Sequence, residues 1–278
     1  FASREFSTAL IGENDRGLLQ DVRFHITAGD ARSETFTIRV STAPSTTVTS
    51  VDFAYPEYMQ LDPESNDGGN VDAWEGTTVT FHATASRPVR SARLVFSDTE
   101  DTSQRAEETA MRITNGTALT GHWRLSFRGS DQEDYPRFYR IVCKNADGAI
   151  DLQPTLYSIT IRPDKPPEVE LLSPRQDLEL PSNAVLPLLI RARDPDFQLR
   201  YLTLRVEKDG KQLPEHNREL FSGQQSAFGP SSIDFALKPL ALNPGDTISY
   251  WIEARDNKMP VGNRTNTAPK LNIRITEP

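Results

Sequence analysis

Apolar and polar residues alternate along most of this chain, and one alternating signature recurs three times. The copies are Phe24-His25-Ile26-Thr27-Ala28-Gly29-Asp30, Tyr139-Arg140-Ile141-Val142-Cys143-Lys144-Asn145 and Tyr250-Trp251-Ile252-Glu253-Ala254-Arg255-Asp256. A period of two predicts a half-buried strand, and the closing Asp or Asn predicts a turn. A second alternating run follows each copy: Phe36-x-Ile38-x-Val40, Tyr157-x-Ile159-x-Ile161 and Leu271-x-Ile273-x-Ile275. A third precedes each: Phe6-x-Thr8-x-Leu10, Trp123-x-Leu125-x-Phe127 and Ile233-x-Phe235-x-Leu237. Every copy thus predicts three successive antiparallel strands.

The second and third copies have further strands upstream, and the first has none. Val79-x-Phe81-x-Ala83 and Ala92-x-Leu94-x-Phe96 match Leu188-x-Ile190-x-Ala192 and Leu202-x-Leu204-x-Val206, with entry runs at residues 48–53 and 169–172. This gives roughly seven strands in a full unit of about 110 residues, the pattern of an immunoglobulin or fibronectin sandwich. The expected fold class is all-β, as tandem immunoglobulin-like or fibronectin type III-like β-sandwiches. Residues 103–112 fit two turns of helix as well as they fit strand alternation.

Proline-bearing joints set the expected boundaries. Ser41-Thr42-Ala43-Pro44-Ser45 closes the first unit, and Arg162-Pro163-Asp164-Lys165-Pro166-Pro167-Glu168 joins the second to the third. Proline has no amide hydrogen and cannot continue a ladder, so each joint ends one strand and leads stiffly into the next. The expected units are residues 1–44, the last three strands of an incomplete sandwich, then complete sandwiches at 45–163 and 164–278. Earlier strands of the first sandwich are expected upstream of Phe1, and a rod-like arrangement is expected of the whole.

Composition narrows the function classes. The 278 residues, 36% of them hydrophobic, are enough for two or three domains with real cores. No apolar run approaches the roughly 20 residues that span a bilayer, and residues 1–10 do not read as a signal peptide. Against 39 acidic residues stand 31 Lys and Arg, a net charge of −8. Arginines such as Arg39, Arg93, Arg140, Arg205 and Arg274 fall at polar alternation positions and read as solvated sheet faces. They form no basic stripe, so neither nucleic acid nor membrane insertion is expected. Cys143 is the sole cysteine and excludes an intrachain disulfide. Its repeat partners Ala28 and Ala254 mark an inward slot for a small residue, so a buried, inert thiol is expected.

Catalytic chemistry finds little support. The four histidines, His25, His82, His122 and His216, fall apart without metal-ligand spacing, and there is no nucleophile elbow, phosphate-cradling glycine loop or Cys-x-x-Cys pair. No enzyme and no cofactor are expected. Calcium is the strongest specific alternative, because Asp62, Glu64, Asp67 and Asp72 concentrate oxygen donors in one expected loop and Asp194 and Asp196 lie at a strand end. The same residues are the vocabulary of solvated turns. Tyr55, Tyr58 and Trp74 cluster near the entry to the second unit, either as a sugar-binding platform or as packing over a sandwich end. Trp123 reads as core, and Trp251 as an outward residue suited to covering a joint.

Four segments carry a family resemblance: Tyr55-Pro56-Glu57-Tyr58, Glu75-Gly76-Thr77-Thr78-Val79, Asp164-Lys165-Pro166-Pro167-Glu168-Val169-Glu170-Leu171-Leu172-Ser173-Pro174 and Leu186-Pro187-Leu188-Leu189-Ile190-Arg191-Ala192-Arg193-Asp194. They resemble the immunoglobulin-like repeats of large planctomycete-type bacterial membrane proteins, over most of residues 20–278. That resemblance implies an extracytoplasmic location, in the periplasm or at the cell surface, with tethering through a membrane segment elsewhere. It supplies no catalytic residues. The expected role is a non-catalytic spacer or protein-binding arm whose partners are other envelope or surface proteins, or other domains of the same protein. A ligand-binding module, using calcium for adhesion or binding carbohydrate, is the alternative.

Overall fold

The computed structural model describes residues 9, 18, 20–101, 107–129 and 132–277. Among the described residues the chain is built of strands joined by turns and three short 3-10 helices. The strand expected at Phe6, Thr8 and Leu10 lies outside the described residues.

The described part of the first unit is a hairpin. Strands β1 (Val22–Phe24) and β4 (Phe36–Ile38) pair antiparallel, and between them β2 (Thr27–Ala28) pairs with β3 (Ala31–Arg32). The turn at Gly29 has φ 62°, a left-handed conformation that glycine adopts without strain. Phe24 stacks on Phe36 at 5.5 Å, yet Ile26 remains 60% exposed and no residue of the hairpin joins a core. Ala28 is likewise exposed, unlike its counterparts Cys143 and Ala254.

The first sandwich begins with β5 (Thr46–Ala54), β6 (Glu64–Asp67), β7 (Val71–Trp74), β8 (Thr78–Ala85) and β9 (Ser91–Ser97). It continues with β10 (Glu107–Ala110), β11 (Arg112–Thr114), β12 (Ala118–Arg124), β13 (Phe138–Lys144) and β14 (Leu156–Arg162). One sheet has the order β11-β12-β8-β5-β6 and the other β10-β9-β13-β14-β7. The entering chain is therefore shared: β5 joins one sheet antiparallel to β8, then crosses so that β7 pairs parallel with β14 in the other. Alternation explains the core between them. Tyr139, Ile141 and Cys143 sit opposite Phe96, Leu94 and Ala92, and all six are buried. Gly121 faces the same core, where a Cβ would come within 2.8 Å of Leu94.

The second sandwich repeats this plan. Its first strands are β15 (Glu168–Ser173), β16 (Leu178–Pro181), β17 (Val185–Arg193) and β18 (Leu199–Lys208). Then come β19 (Lys211–Gln212), β20 (Arg218–Gln225), β21 (Ala227–Ala236), β22 (Thr247–Asp256), β23 (Arg264–Asn266) and β24 (Leu271–Thr276). One sheet is β15-β17-β21; the other runs β16-β24-β22-β18-β19, with β20 and β23 on its flanks. Again the entering strand divides, β15 antiparallel to β17 and β16 parallel to β24. Tyr250, Ile252, Leu204 and Ile273 are fully buried between the sheets. Two packed sheets of this connectivity are tandem immunoglobulin-like β-sandwiches.

Four expectations change. The possible helix at residues 103–112 is strand at Glu107–Ala110 and again from Arg112, with Met111 between β10 and β11, because Thr109 and Ala110 pair with Leu94 and Arg93. Arg140 is 8% exposed instead of solvated, since β13 is flanked by β9 and β14 and its neighbours cover that face. The expected loop at residues 62–72 is divided between β6 and β7, strands of opposite sheets. Trp251 is buried beneath Lys270, whose ammonium lies 4.1 Å from the ring centre, and other residues close the joint.

Cys143 is 1% exposed, and burial pushes its thiol up to about 11. We expect thiol reagents to label the native chain slowly and the denatured chain completely. Cys143→Ala should be mild because Ala254 fills the equivalent slot, whereas Ile141→Ala should cost about 2–5 kcal/mol through the cavity it leaves. Urea denaturation of the two variants measures the difference.

Candidate functional site at the domain joint

Only Pro163, Asp164, Lys165, Pro166 and Pro167 separate β14 from β15. So short a linker presses the end of one sandwich onto the end of the next. In the second sandwich that end is fixed by register: the start of β15 lies beside the end of β17 (Glu168 opposite Arg193), and the start of β18 beside the end of β22 (Leu199 opposite Asp256). Residues that follow β17 and residues that close β22 therefore meet where the linker enters.

Phe197 is the apolar centre of the contact. Trp74 and Tyr58 of the first sandwich meet its ring edge to face, at 5.1 and 5.9 Å between centres. The Tyr58 hydroxyl donates to Asp164 Oδ2 at 2.7 Å, and the Tyr58 carbonyl accepts from Asn257 Nδ2 at 2.8 Å. Asn263 Nδ2 donates to the Asp164 carbonyl at 3.1 Å, and Lys258 Nζ bridges to Glu75 at 2.8 Å with both side chains mostly covered. Lys165 N–H donates to Asp196 Oδ2 at 2.9 Å.

Three carboxyl groups are buried here: Asp164 at 2% exposure, Asp194 at 6% and Asp256 at 2%. Asp194 Oδ1 accepts from the backbone N–H groups of Asp196 and Phe197, and Asp256 Oδ1 from those of Lys258 and Asn263. Burial pushes Asp164 up to about 6; Tyr58's hydrogen bond and the Lys258 charge oppose the rise, and the charges of Asp256 and Asp194 add to it. Burial also raises Asp194 and Asp256, against their backbone donors. Desolvation and the hydrogen bond to Asp164 push the Tyr58 hydroxyl far up, so it remains a donor.

Beside the contact opens a groove of about 950 Å³ lined by Tyr58, Arg124, Arg200, Tyr201 and Arg255, with Met259 66% exposed at its rim.

The candidates from the sequence divide. Asp194 and Asp196 come to the joint, joined by Asp164 and Asp256, which the sequence reading did not single out. Asp62 and Asp67 are exposed, Glu64 accepts from the Tyr55 hydroxyl at 3.1 Å, and Asp72 pairs with Arg162 at 2.8 Å. Tyr55 stacks on Phe53, while Tyr58 and Trp74 pack on Phe197, so the three rings serve two packing contacts instead of one platform. His82 bonds Asp52 at 2.8 Å, His122 lies 3.0 Å from the Thr80 hydroxyl, and His25 lies on the hairpin. Among the described residues, no group of three or more His, Cys, Asp or Glu side chains could hold a metal ion by itself. No helix among them is long and apolar enough to cross a membrane.

No protein-family model matches the chain, and no curated protein matches it. Solved structures to which the chain is similar include the fibronectin(III)-like modules of Clostridium thermocellum CbhA, at 14% identity over 75% of this chain and 90% of that one, with TM-score 0.29. A chimeric titin Z1Z2 follows at 13% identity over 86% and 100%, TM-score 0.28, and dimeric latent PorU from Porphyromonas gingivalis at 12% over 88% and 26%, TM-score 0.28.

The raised Asp164 carboxyl fixes a sign. Its folded value of about 6 lies above the ordinary 3.8, so between these the folded state holds the extra proton. Its contribution to stability is full below pH 3.8 and is lost as pH rises through 6. Asp194 and Asp256 act in the same direction, whereas lowered carboxyls such as Asp52 and Asp246 lose stability as pH falls through their own lower values. Melting in chelator-containing buffer should show stability declining from pH 4 to pH 6.5, and Asp164→Asn should remove about 1–3 kcal/mol of that slope.

Proposed function

We propose that this chain is a non-catalytic structural or interaction module: a stiff extracytoplasmic spacer or protein-binding arm in a larger bacterial envelope protein of the planctomycete type it resembles. The joint carries the reading. A flexible tether between sandwiches would be long, polar and solvated, whereas this linker has three prolines in five residues and a buried aspartate held by Tyr58. Units at residues 45–163 and 164–278, preceded by the closing strands of another sandwich at residues 1–44, form part of the same proposal. The two-core arrangement and the core-free hairpin support it. Other envelope or surface proteins, or neighbouring domains of the same protein, are the partners such an arm would meet.

Spin labels test the stiffness. Thr84→Cys and Ser222→Cys place labels on exposed positions of the two sandwiches, while buried Cys143 stays unmodified. Pulsed dipolar spectroscopy should give one narrow distance distribution, and Phe197→Ala should broaden it. A broad distribution in the parent pair would refute the spacer reading.

A further inference from the structure

We propose that the end of the second sandwich holds one divalent cation of the calcium type, bound by carboxylate oxygens of Asp194 and Asp256 and amide oxygens of Gln198 and Asn257. These four residues present Asp194 Oδ2, Gln198 Oε1, Asp256 Oδ2 and Asn257 Oδ1, buried oxygens that accept no hydrogen bond from the protein. Asp194, Asp256 and Asn257 are each more than nine-tenths buried. Such oxygens are costly to bury unless something satisfies them, and here four occur in one neighbourhood, all acceptors.

The backbone brings them together. Asn257 N–H donates to the Gln198 carbonyl at 2.9 Å, Asp256 lies opposite Leu199, and the Asp194 charge is close enough to raise Asp256. In each aspartate the backbone occupies Oδ1 and leaves Oδ2, which orients the carboxylates without using up their capacity. Asn257 is oriented similarly, since its Nδ2 is fixed on the Tyr58 carbonyl.

Chemistry selects the ligand. Every free group is an oxygen, with no imidazole or thiolate among them, which suits a hard cation and excludes a zinc-type centre. Two carboxylates and two amides form a donor set that does not need a third acidic side chain. Lys258, whose charge opposes the rise of Asp164, is engaged with Glu75, and Arg200 and Arg255 line the groove beside the contact. Asp164 faces the same end with Oδ2 given to Tyr58, and Asp196 gives Oδ2 to the Lys165 N–H. A bound ion would join the ends of β17 and β22 directly beneath the linker. The site does not depend on the spacer reading, because it lies wholly within the second sandwich.

The test uses the full chain stripped with chelator and titrated with Ca²⁺ at pH 7.5, by calorimetry and thermal melting. One ion per chain is expected. At a hundredfold excess over Kd, Tm should rise by roughly 5–10 °C. Asp194→Asn and Asp256→Asn keep an oxygen for the backbone donors, and both should lose the ion-dependent shift. Gln198→Leu, which removes one donor and no charge, should weaken binding at least tenfold, while Asp67→Ala and Asp72→Ala should bind like the parent. The proposal is overturned if the parent shows neither heat nor shift, leaving the oxygens to protons or water. It is equally overturned if the shift persists in both Asn variants and disappears in Asp67→Ala, which would place the ion on β6.

Discussion

The structure turns on a linker too short to keep two sandwich ends apart. From the last residue of β14 to the first of β15 the chain passes through five residues, three of them proline. Extended backbone covers at most about 3.5 Å per residue, so the loops at the facing ends must touch or be covered. Sandwich ends are rich in turn-forming Asp and Asn, and contact therefore takes polar groups out of water. Phe197, Trp74 and Tyr58 supply apolar surface at the centre, and the surrounding polar atoms must find partners within the contact or retain charge at a cost.

Most of them find partners. Tyr58 uses both its hydroxyl and its carbonyl, while Asn263 and Lys258 span the remaining polar rim. Hydrogen bonds that cross a dry boundary fix a relative orientation, because slippage would strand donors and acceptors in a low dielectric. The excess lies in acidic oxygen. Three buried carboxyls share this end while the Lys258 ammonium is engaged with Glu75, so a partner that brings positive charge, whether a proton or a metal ion, would offset their burial.

Alternation made much of the fold visible in the sequence. Tyr139, Ile141 and Cys143 and their counterparts Tyr250, Ile252 and Ala254 are buried at the register that period two predicts. The same pattern misleads at Ile26 and Ala28, since the hairpin has no opposing sheet to cover that face among the described residues. It also misses Arg140, because strand period does not reveal which strands are central. The joint left a fainter trace. Ala-Arg-Asp occurs as Ala192-Arg193-Asp194 and as Ala254-Arg255-Asp256, at the ends of β17 and β22. Each aspartate alone is ordinary turn chemistry. Only the strand order, which brings both ends to the side where Asp164 enters, shows that they face one another.

Comparison of the two junctions shows why the same repeat produces different mechanics. At the first, Ser41 donates to Asp147 and accepts from Asn145 at 3.0 and 3.1 Å, but these contacts are exposed and compete with water. Asn145 occupies the repeat position of Asp256, yet its Oδ1 is spent on the Ala149 N–H within its own turn, and no aromatic cluster among the described residues covers it. At the second, the equivalent turn is buried beneath Tyr58 and keeps an oxygen in reserve. One strand-end position thus closes a solvated loop in one sandwich and builds a dry, charge-selective contact in the other. The difference comes from the Tyr58 and Trp74 side chains and a five-residue linker, not from the strands themselves.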